Sequence, residues 1–239
     1  MIRIHNLSKK YSGAQQYSVK NISLEIQEGE VFGFLGHNGA GKTTTMKMIL
    51  GFLNPTEGTI SINGHDPKDL ESKKIMGFLP EHVNLYKYLT AREFLRFIGE
   101  IFEIESEILE KRIEDILITK LKFPVEAIDR PIKGYSKGMQ QRVGIAQALI
   151  NNPKIVFLDE PMSGLDPVGR KTVKDLILHL KQEGKTVFFN SHILNDAEVL
   201  CDKVAIIKMG EIILNGTVEE VTNNHKKTLE EVFIETMEE

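Results

Sequence analysis

The first thirty residues alternate apolar and polar positions with a period of two. Ile2 and Ile4 fall on one side, and Ile22, Leu24 and Ile26 are spaced by Ser23 and Glu25. Successive side chains of a strand point to opposite faces, so this spacing predicts half-buried strands paired antiparallel. Thr59-Ile60-Ser61-Ile62, bracketed by Gly58 and by Asn63-Gly64, repeats the pattern and is predicted to join the same sheet. Val31-Phe32-Gly33-Phe34-Leu35 is different in kind, a short apolar run of the type found in buried strands. From Thr90 the period changes. Thr90-Ala91-Arg92-Glu93 has the form of a capping box, and Phe94, Leu95, Ile98 and Ile101 follow at helical spacing. Ser106 opens a second helix, with Ile108, Leu109, Ile113, Ile116 and Leu117 on one face and Glu107, Glu110, Lys111 and Glu114 opposite.

After Pro153 the apolar runs Ile155-Val156-Phe157-Leu158, Val187-Phe188-Phe189 and Val204-Ala205-Ile206-Ile207 alternate with amphipathic stretches. That order predicts parallel strands joined by right-handed crossovers. In the charged stretch at the end, Leu229, Val232, Phe233 and Met237 recur at helical intervals and predict a packing helix. The pattern therefore predicts an α/β core of residues 1–84 and 151–216, interrupted by a helical subdomain over 85–150 and followed by a helical tail over 217–239.

Composition narrows the function classes. With 239 residues the chain is long enough for one sizeable core. Its net charge of -4, from 30 basic and 34 acidic side chains, gives no global attraction for nucleic acid or anionic lipid. The lone cysteine, Cys201, cannot form an internal disulfide and reads as core filler among apolar neighbours. No stretch approaches the ~18 consecutive apolar residues of a membrane helix. A cytoplasmic protein is expected, with any membrane role supplied through a partner.

The chemistry begins directly after the Val31 run. In Gly36-His37-Asn38-Gly39-Ala40-Gly41-Lys42-Thr43 the glycines let consecutive backbone N–H groups turn inward around a string of phosphates. Lys42 reaches the β- and γ-phosphates as a point charge, and the Thr43 hydroxyl takes a position on Mg²⁺. Thr44 continues into a helix whose positive end faces the same anion. The strand Ile155 to Leu158 ends in Asp159-Glu160, which puts two carboxylates at the carboxyl edge of a parallel sheet. Asp159 is the candidate for the Mg²⁺ shell, and Glu160 for polarising a water that attacks the γ-phosphate. Tyr135-Ser136-Lys137-Gly138-Met139-Gln140-Gln141-Arg142 precedes another helical run, with Ser136 placed as its N-cap. Two phosphate-binding helix ends exceed what one nucleotide needs, so the second is expected to serve a nucleotide held by another copy.

The glycine loop, the Asp159-Glu160 strand and the Tyr135 to Arg142 segment, in this arrangement, resemble the ATP-binding subunit of an ABC transporter. The resemblance implies a P-loop NTPase (RecA-like) α/β fold with a parallel sheet, an N-terminal antiparallel β subdomain and an inserted α-helical subdomain. It implies ATP and Mg²⁺ as ligands and ATP hydrolysis as the reaction. The active form would be a head-to-tail pair, a homodimer or a pair with a paralogue, coupled to a separate membrane permease at the inner face of the cell membrane. By the same resemblance Ser136, Lys137, Gly138, Met139 and Gln140 form the signature motif that acts on the partner's ATP. Tyr11 corresponds to the aromatic that stacks on adenine, and Ser163, Gly164, Leu165 and Asp166 to the loop that couples the two sites. His192 corresponds to the histidine that senses the γ-phosphate, and Glu81 to a glutamine that binds Mg²⁺ and faces the permease.

Three positions depart from the family pattern: Glu81 for that glutamine, Lys137 for a glycine, and Met139 for a glutamine. Lys137 either adds a cation to phosphate capture or points to solvent. Leu79-Pro80-Glu81 and the ending Thr228-Leu229-Glu230-Glu231-Val232-Phe233 resemble subunits of bacterial exporters of drugs, polysaccharides or lipids. Two other classes remain in view: an ABC-type ATPase acting on a non-membrane macromolecule, and a phosphate-loop kinase. The first lacks a second cassette, a long coiled coil or a basic arm here, and the second leaves the Tyr135 to Arg142 segment unexplained.

Overall fold

The computed structural model describes residues 1–238. The chain opens with β1 (Ile2–Lys9), β2 (Val19–Ile26), β3 (Val31–Leu35), α1 (Lys42–Ile49), β4 (Glu57–Ile62) and α2 (Leu70–Lys74). It continues through β5 (Met76–Leu79), α3 (Ala91–Ile101), α4 (Ser106–Glu114), α5 (Lys137–Leu149), β6 (Ile155–Asp159) and α6 (Pro167–Gln182). The last elements are β7 (Thr186–Ser191), α7 (Leu194–Leu200), β8 (Lys203–Lys208), β9 (Glu211–Thr217), α8 (Val218–Val221) and α9 (Leu229–Glu238). Two compact units result, one of Met1–Lys73 with the chain from Thr186 onward, the other of Lys74–Lys185.

In the first unit β1 is the middle strand of an antiparallel sheet ordered β2-β1-β4, with Ile4 opposite both Leu24 and Ile60. The period-two pattern thus places Ile2, Ile4, Ile22, Leu24, Ile26 and Ile62 on the buried side. β3 pairs in parallel with β7 on one side and β8 on the other. All five β3 residues and all six of β7 are buried, as expected of strands covered on both faces. Phe188 stacks on Phe32 at 5.6 Å and meets Phe34 at 5.8 Å. Cys201 is buried, in keeping with its reading as a core residue. β9, absent from the sequence reading, runs antiparallel along β8. Its residues are exposed or half-buried throughout, so its apolar pattern is weak.

In the second unit β5 and β6 form a parallel pair, and α5 packs on β5. α3 begins with the predicted capping box: Thr90 Oγ1 accepts from Glu93 N at 3.1 Å, while Thr90 N donates to Glu93 Oε2 at 2.8 Å. Such reciprocal caps satisfy two otherwise orphaned N–H groups. The expected apolar face needs correction. Ile101 and Ile108 are 62 and 47 % exposed, and the buried face of the second helix is Leu109, Ile113, Ile116 and Leu117. The α-helix itself ends at Glu114, and a π-helical turn over Asp115–Lys120 carries Ile116 and Leu117 inward. Arg92 bridges Glu110 at 3.1 Å and Asp129 at 2.9 Å, and Arg96 also pairs with Glu110. The hydrogen bond from Arg96 is the main cause that holds the Glu110 carboxyl below its usual range.

The residue just before the N-cap of α5 is tethered from beneath. The buried Tyr135 hydroxyl lies 2.6 Å from the Ala127 carbonyl oxygen and 3.0 Å from that of Arg130, and its ring meets Phe123 at 5.5 Å. Burial pushes the phenol above its ordinary pKa, so it stays a donor. Tyr135→Phe leaves these carbonyls without that donor, at ~1–3 kcal/mol. A melting temperature lower by ~2–12 °C is expected from thermal unfolding; an unchanged one would mean that the tether contributes nothing.

Candidate functional site

In the first unit, Leu35 is paired with Ser191 across β3 and β7. The Gly36 loop and His192 therefore leave neighbouring strands at the same level of one carboxyl edge, where parallel sheets bind ligands. The loop is held by its backbone. Gly41, the N-cap of α1, has φ +114°, and a Cβ there would lie 2.6 Å from the Ser18 carbonyl oxygen. Only glycine meets both conditions. Lys42 is 6 % exposed, and its Nζ donates to Gly36 O at 2.7 Å and His37 O at 3.2 Å. The ammonium thus lies inside the turn of backbone that precedes it. Thr43 and Thr44 sit half-buried in the first turn of α1, while His37, Asn38 and Gly39 are exposed and Ala40 is buried.

His192 is exposed in a tight turn in which Ser191 Oγ accepts from Ile193 N at 2.9 Å. Tyr11 lies beyond the end of β1, 43 % exposed, with the Lys9 ammonium 5.5 Å from its ring centroid. Ser18 N donates to Lys9 O at 2.8 Å, and Ser18 O abuts Gly41, so the Tyr11 loop is braced at the residue that touches the glycine loop.

In the second unit the pairing of Leu79 with Leu158 brings Pro80-Glu81 and Asp159-Glu160 to one strand edge. Asp159 and Glu160 are 3 and 9 % exposed, whereas Glu81 faces solvent. Glu160 has φ +51°, a left-handed conformation that costs a residue with a Cβ ~1–2 kcal/mol. Its carbonyl accepts from Ser163 N at 3.0 Å, closing the turn that aims the chain away from the strand.

Ser136 caps α5, its Oγ accepting from Met139 N at 3.2 Å. The signature segment and the Ser163–Asp166 loop form one block within this unit. A Cβ on Gly164, where φ is +71°, would lie 2.6 Å from Lys137 Cε, and one on Gly138 would lie 3.4 Å from Leu165 Cδ2. Gln141 Nε2 donates to Pro161 O at 3.2 Å. Asp166 caps α6 by accepting from Gly169 N at 2.7 Å, with Pro167 at the first helical position. The stem of Lys137 lies against Gly164 while the residue as a whole is exposed. The sequence reading missed Gln141 and the Tyr135 tether. A signal for Gln141 existed in its helical spacing with Ile145 and Leu149, and the structure buries it with them.

The donors read as metal ligands, the Thr43 hydroxyl and the Asp159 and Glu81 carboxylates, are the hard oxygen type that Mg²⁺ takes. Among the described residues no three His, Cys, Asp or Glu side chains gather into a metal cluster. Also among the described residues, no helix is long and apolar enough to cross a membrane.

A family model described as ABC transporter matches residues 19–163. An uncharacterized ABC transporter ATP-binding protein of Synechocystis is 48% identical over 207 residues, which make up 87% of this chain and 58% of that protein. The ABC transporter ATP-binding protein NatA of Bacillus subtilis is 37% identical over 231 residues, 95% of this chain and 93% of NatA. The chain thus spans about three-fifths of the cyanobacterial relative and nearly all of NatA. Among solved structures, the ATP-binding subunit of an ABC transporter superposes with TM-score 0.90 at 28% identity, covering 99% of both chains. A dimeric ATP-binding cassette in a post-hydrolysis state, bound to ADP and Pi, superposes with TM-score 0.83 at 30% identity, covering 91% of this chain and 99% of the other. With that family model covering more than half of the chain and NatA matched over nearly its whole length, the chain belongs to the family of ABC transporter ATP-binding proteins.

Proposed function

We propose that two copies of this subunit, or this subunit and a paralogue, close head to tail around ATP, hydrolyse it, and thereby drive a separate membrane permease. The observation that carries this reading is the pairing of two phosphate-competent helix starts in one chain: α1 behind the glycine loop with Lys42, and α5 capped by Ser136. The amides of Gly36 to Thr44 with Lys42 bind the nucleotide's own phosphates, and Tyr11 stacks on its adenine. By the family resemblance, Thr43, Asp159 and Glu81 are the residues that would hold Mg²⁺. The ion, when bound, neutralises charge on the β- and γ-phosphates.

Glu160 takes the proton of the attacking water as its oxygen bonds to the γ-phosphorus and the bond to the β-phosphate oxygen breaks. The strained turn at Glu160 supports this, since unfavourable backbone conformations persist where the surrounding structure and function require them. His192 hydrogen-bonds the γ-phosphate and senses its loss. Ser136 and the first amides of α5 complete the partner's site, with Gly138, Met139 and Gln140 lining the approach. Because Lys137 and Leu165 tie this helix start to the Ser163–Asp166 loop, the two elements move together when a partner arrives. Glu81 in place of glutamine would offer a carboxylate to Mg²⁺ and add a negative charge beside the phosphates.

The permease docks on the second unit. An apolar groove of about 620 Å³ there is lined by Leu85, Tyr86, Lys87, Tyr88, Leu89 and Phe97. Tyr88 is 88 % exposed, an amphipathic aromatic left bare on a monomer, and such residues are favoured at interface centres. The subunit accordingly sits at the cytoplasmic face of the membrane through its permease. The exporter-like Leu79-Pro80-Glu81 and the Thr228 to Phe233 ending support outward transport of a drug, polysaccharide or lipid.

Glu160→Gln is expected to keep ATP binding and to slow phosphate release from ATP by on the order of 10²–10⁴. Turnover near that of the wild type would remove Glu160 from its role. Tyr88→Ser is expected to reduce recovery of the multi-span membrane protein that co-purifies with the tagged subunit by ~10-fold or more, the loss of one interface hot spot. ATPase activity of the isolated subunit should be unchanged. Full recovery of the membrane protein would exclude the Tyr88 groove as its docking site.

A further inference from the structure

α9 lies against the glycine loop and is fixed at both ends. Its start is capped by Thr228, whose Oγ1 accepts from Glu231 N at 3.2 Å while Thr228 N donates to Glu231 Oε2 at 2.7 Å. Lys227 braces the next turn through both carboxylate oxygens of Glu235, each at 2.7 Å. Leu229, Val232 and Phe233 form the buried face. Three attachments then run along the helix. At its start, Leu229 N donates to Glu198 Oε2 at 2.7 Å, and Glu198 belongs to α7, which begins two residues after His192. In its middle, the Phe233 ring meets the His37 ring edge-on, with centroids 5.0 Å apart and planes at 72°. At its end, Lys208 Nζ donates to Met237 O at 2.9 Å and Thr236 O at 3.4 Å, carbonyls that a helix terminus leaves without intrahelical partners.

The middle attachment matters because of what His37 does. Its carbonyl accepts from Lys42 Nζ, so the residue whose ring leans on Phe233 also orients the lysine of the loop. Beside this contact a cavity of about 340 Å³ separates Asn38, Gly39 and Ala40 from Met237, so the loop is not packed continuously against the tail. The aromatic pair is a discrete point of support there. An edge-to-face pair contributes a specific, orientation-dependent attraction beyond its buried area.

We propose that Phe233 is a positioning residue for nucleotide binding: α9 acts as a strap that holds His37, and through it the phosphate loop, in register with the α7 segment that follows His192. Retention of nucleotide thus depends on the far end of the chain. The proposal rests on the reading of Gly36 to Thr43 as the phosphate loop.

The test is titration of the full chain with Mg²⁺ and a fluorescent ATP analogue, alongside thermal unfolding without nucleotide. Phe233→Leu keeps an apolar side chain in the same place but removes the ring face. It is expected to weaken nucleotide affinity by about two- to tenfold, the range that an aromatic pair supports. Phe233→Tyr, which keeps the ring, should bind within about twofold of wild type on the same scale. His37→Ala should match Phe233→Leu, and the double variant should be no weaker than either single one, because both remove one contact. Wild-type affinity in Phe233→Leu, equal losses in the leucine and tyrosine variants, or additive losses in the double variant would each overturn the proposal, since a merely structural role moves the melting temperature alone. Lys42→Ala serves as the control: if it retains full affinity, the phosphate-loop reading itself fails, whatever Phe233 does.

Discussion

Two strand registers decide where chemistry is possible in this protein. Leu35 stands opposite Ser191 in the first unit, and Leu79 opposite Leu158 in the second. Each is a parallel pairing, so each delivers two loops to the same carboxyl edge: the glycine loop with His192, and Glu81 with Asp159-Glu160. The registers are held by burial on both faces of the strands, with Phe32, Phe34 and Phe188 filling the layer behind the loop. A slip by one residue would turn every side chain of a strand to its opposite face and move the loop by ~3.3 Å. The apolar core is therefore also the alignment device for the polar residues.

Several unfavourable features rest on that scaffold. Glu160 occupies the left-handed region, Gly41 takes a φ open only to glycine, and the Lys42 ammonium is almost wholly covered, with backbone carbonyls as its neighbours. Each costs stability in isolation. These three belong to the residues assigned to phosphate and water, although left-handed backbone also occurs elsewhere, as at Glu103 and Lys122. The second unit shows a complementary arrangement. Asp166 and Ser136 each cap a helix, and Lys137, Leu165 and Gln141 lock the two helix starts into one block. The two loops read as acting across the pair are thus in direct contact.

Much of this was legible in the sequence because it is local. Period-two alternation located β1, β2 and β4, an apolar run followed by glycines located β3 and its loop, and the Thr90 box located the start of α3. What was not legible depends on distant packing. β9 has half-exposed residues on its own and gains its pairing from β8, and β5 is only four residues long. Ile101 and Ile108 match a helical period yet face solvent, because the face that is buried is chosen by the neighbouring helix and not by the repeat. The same holds within the site. The Tyr135 hydroxyl, the Lys137 stem over Gly164 and the Phe233 ring against His37 join residues that no motif links.

The central claim is that one chain supplies two different half-sites, so that hydrolysis requires a facing partner. It is tested most directly by measuring the mass of the Glu160→Gln protein in solution by light scattering, over a range of concentrations, with and without ATP. The account predicts a dimer that forms with ATP and falls apart when the nucleotide is removed. A protein that binds ATP yet stays monomeric at every concentration, both alone and in the presence of its permease, would contradict it.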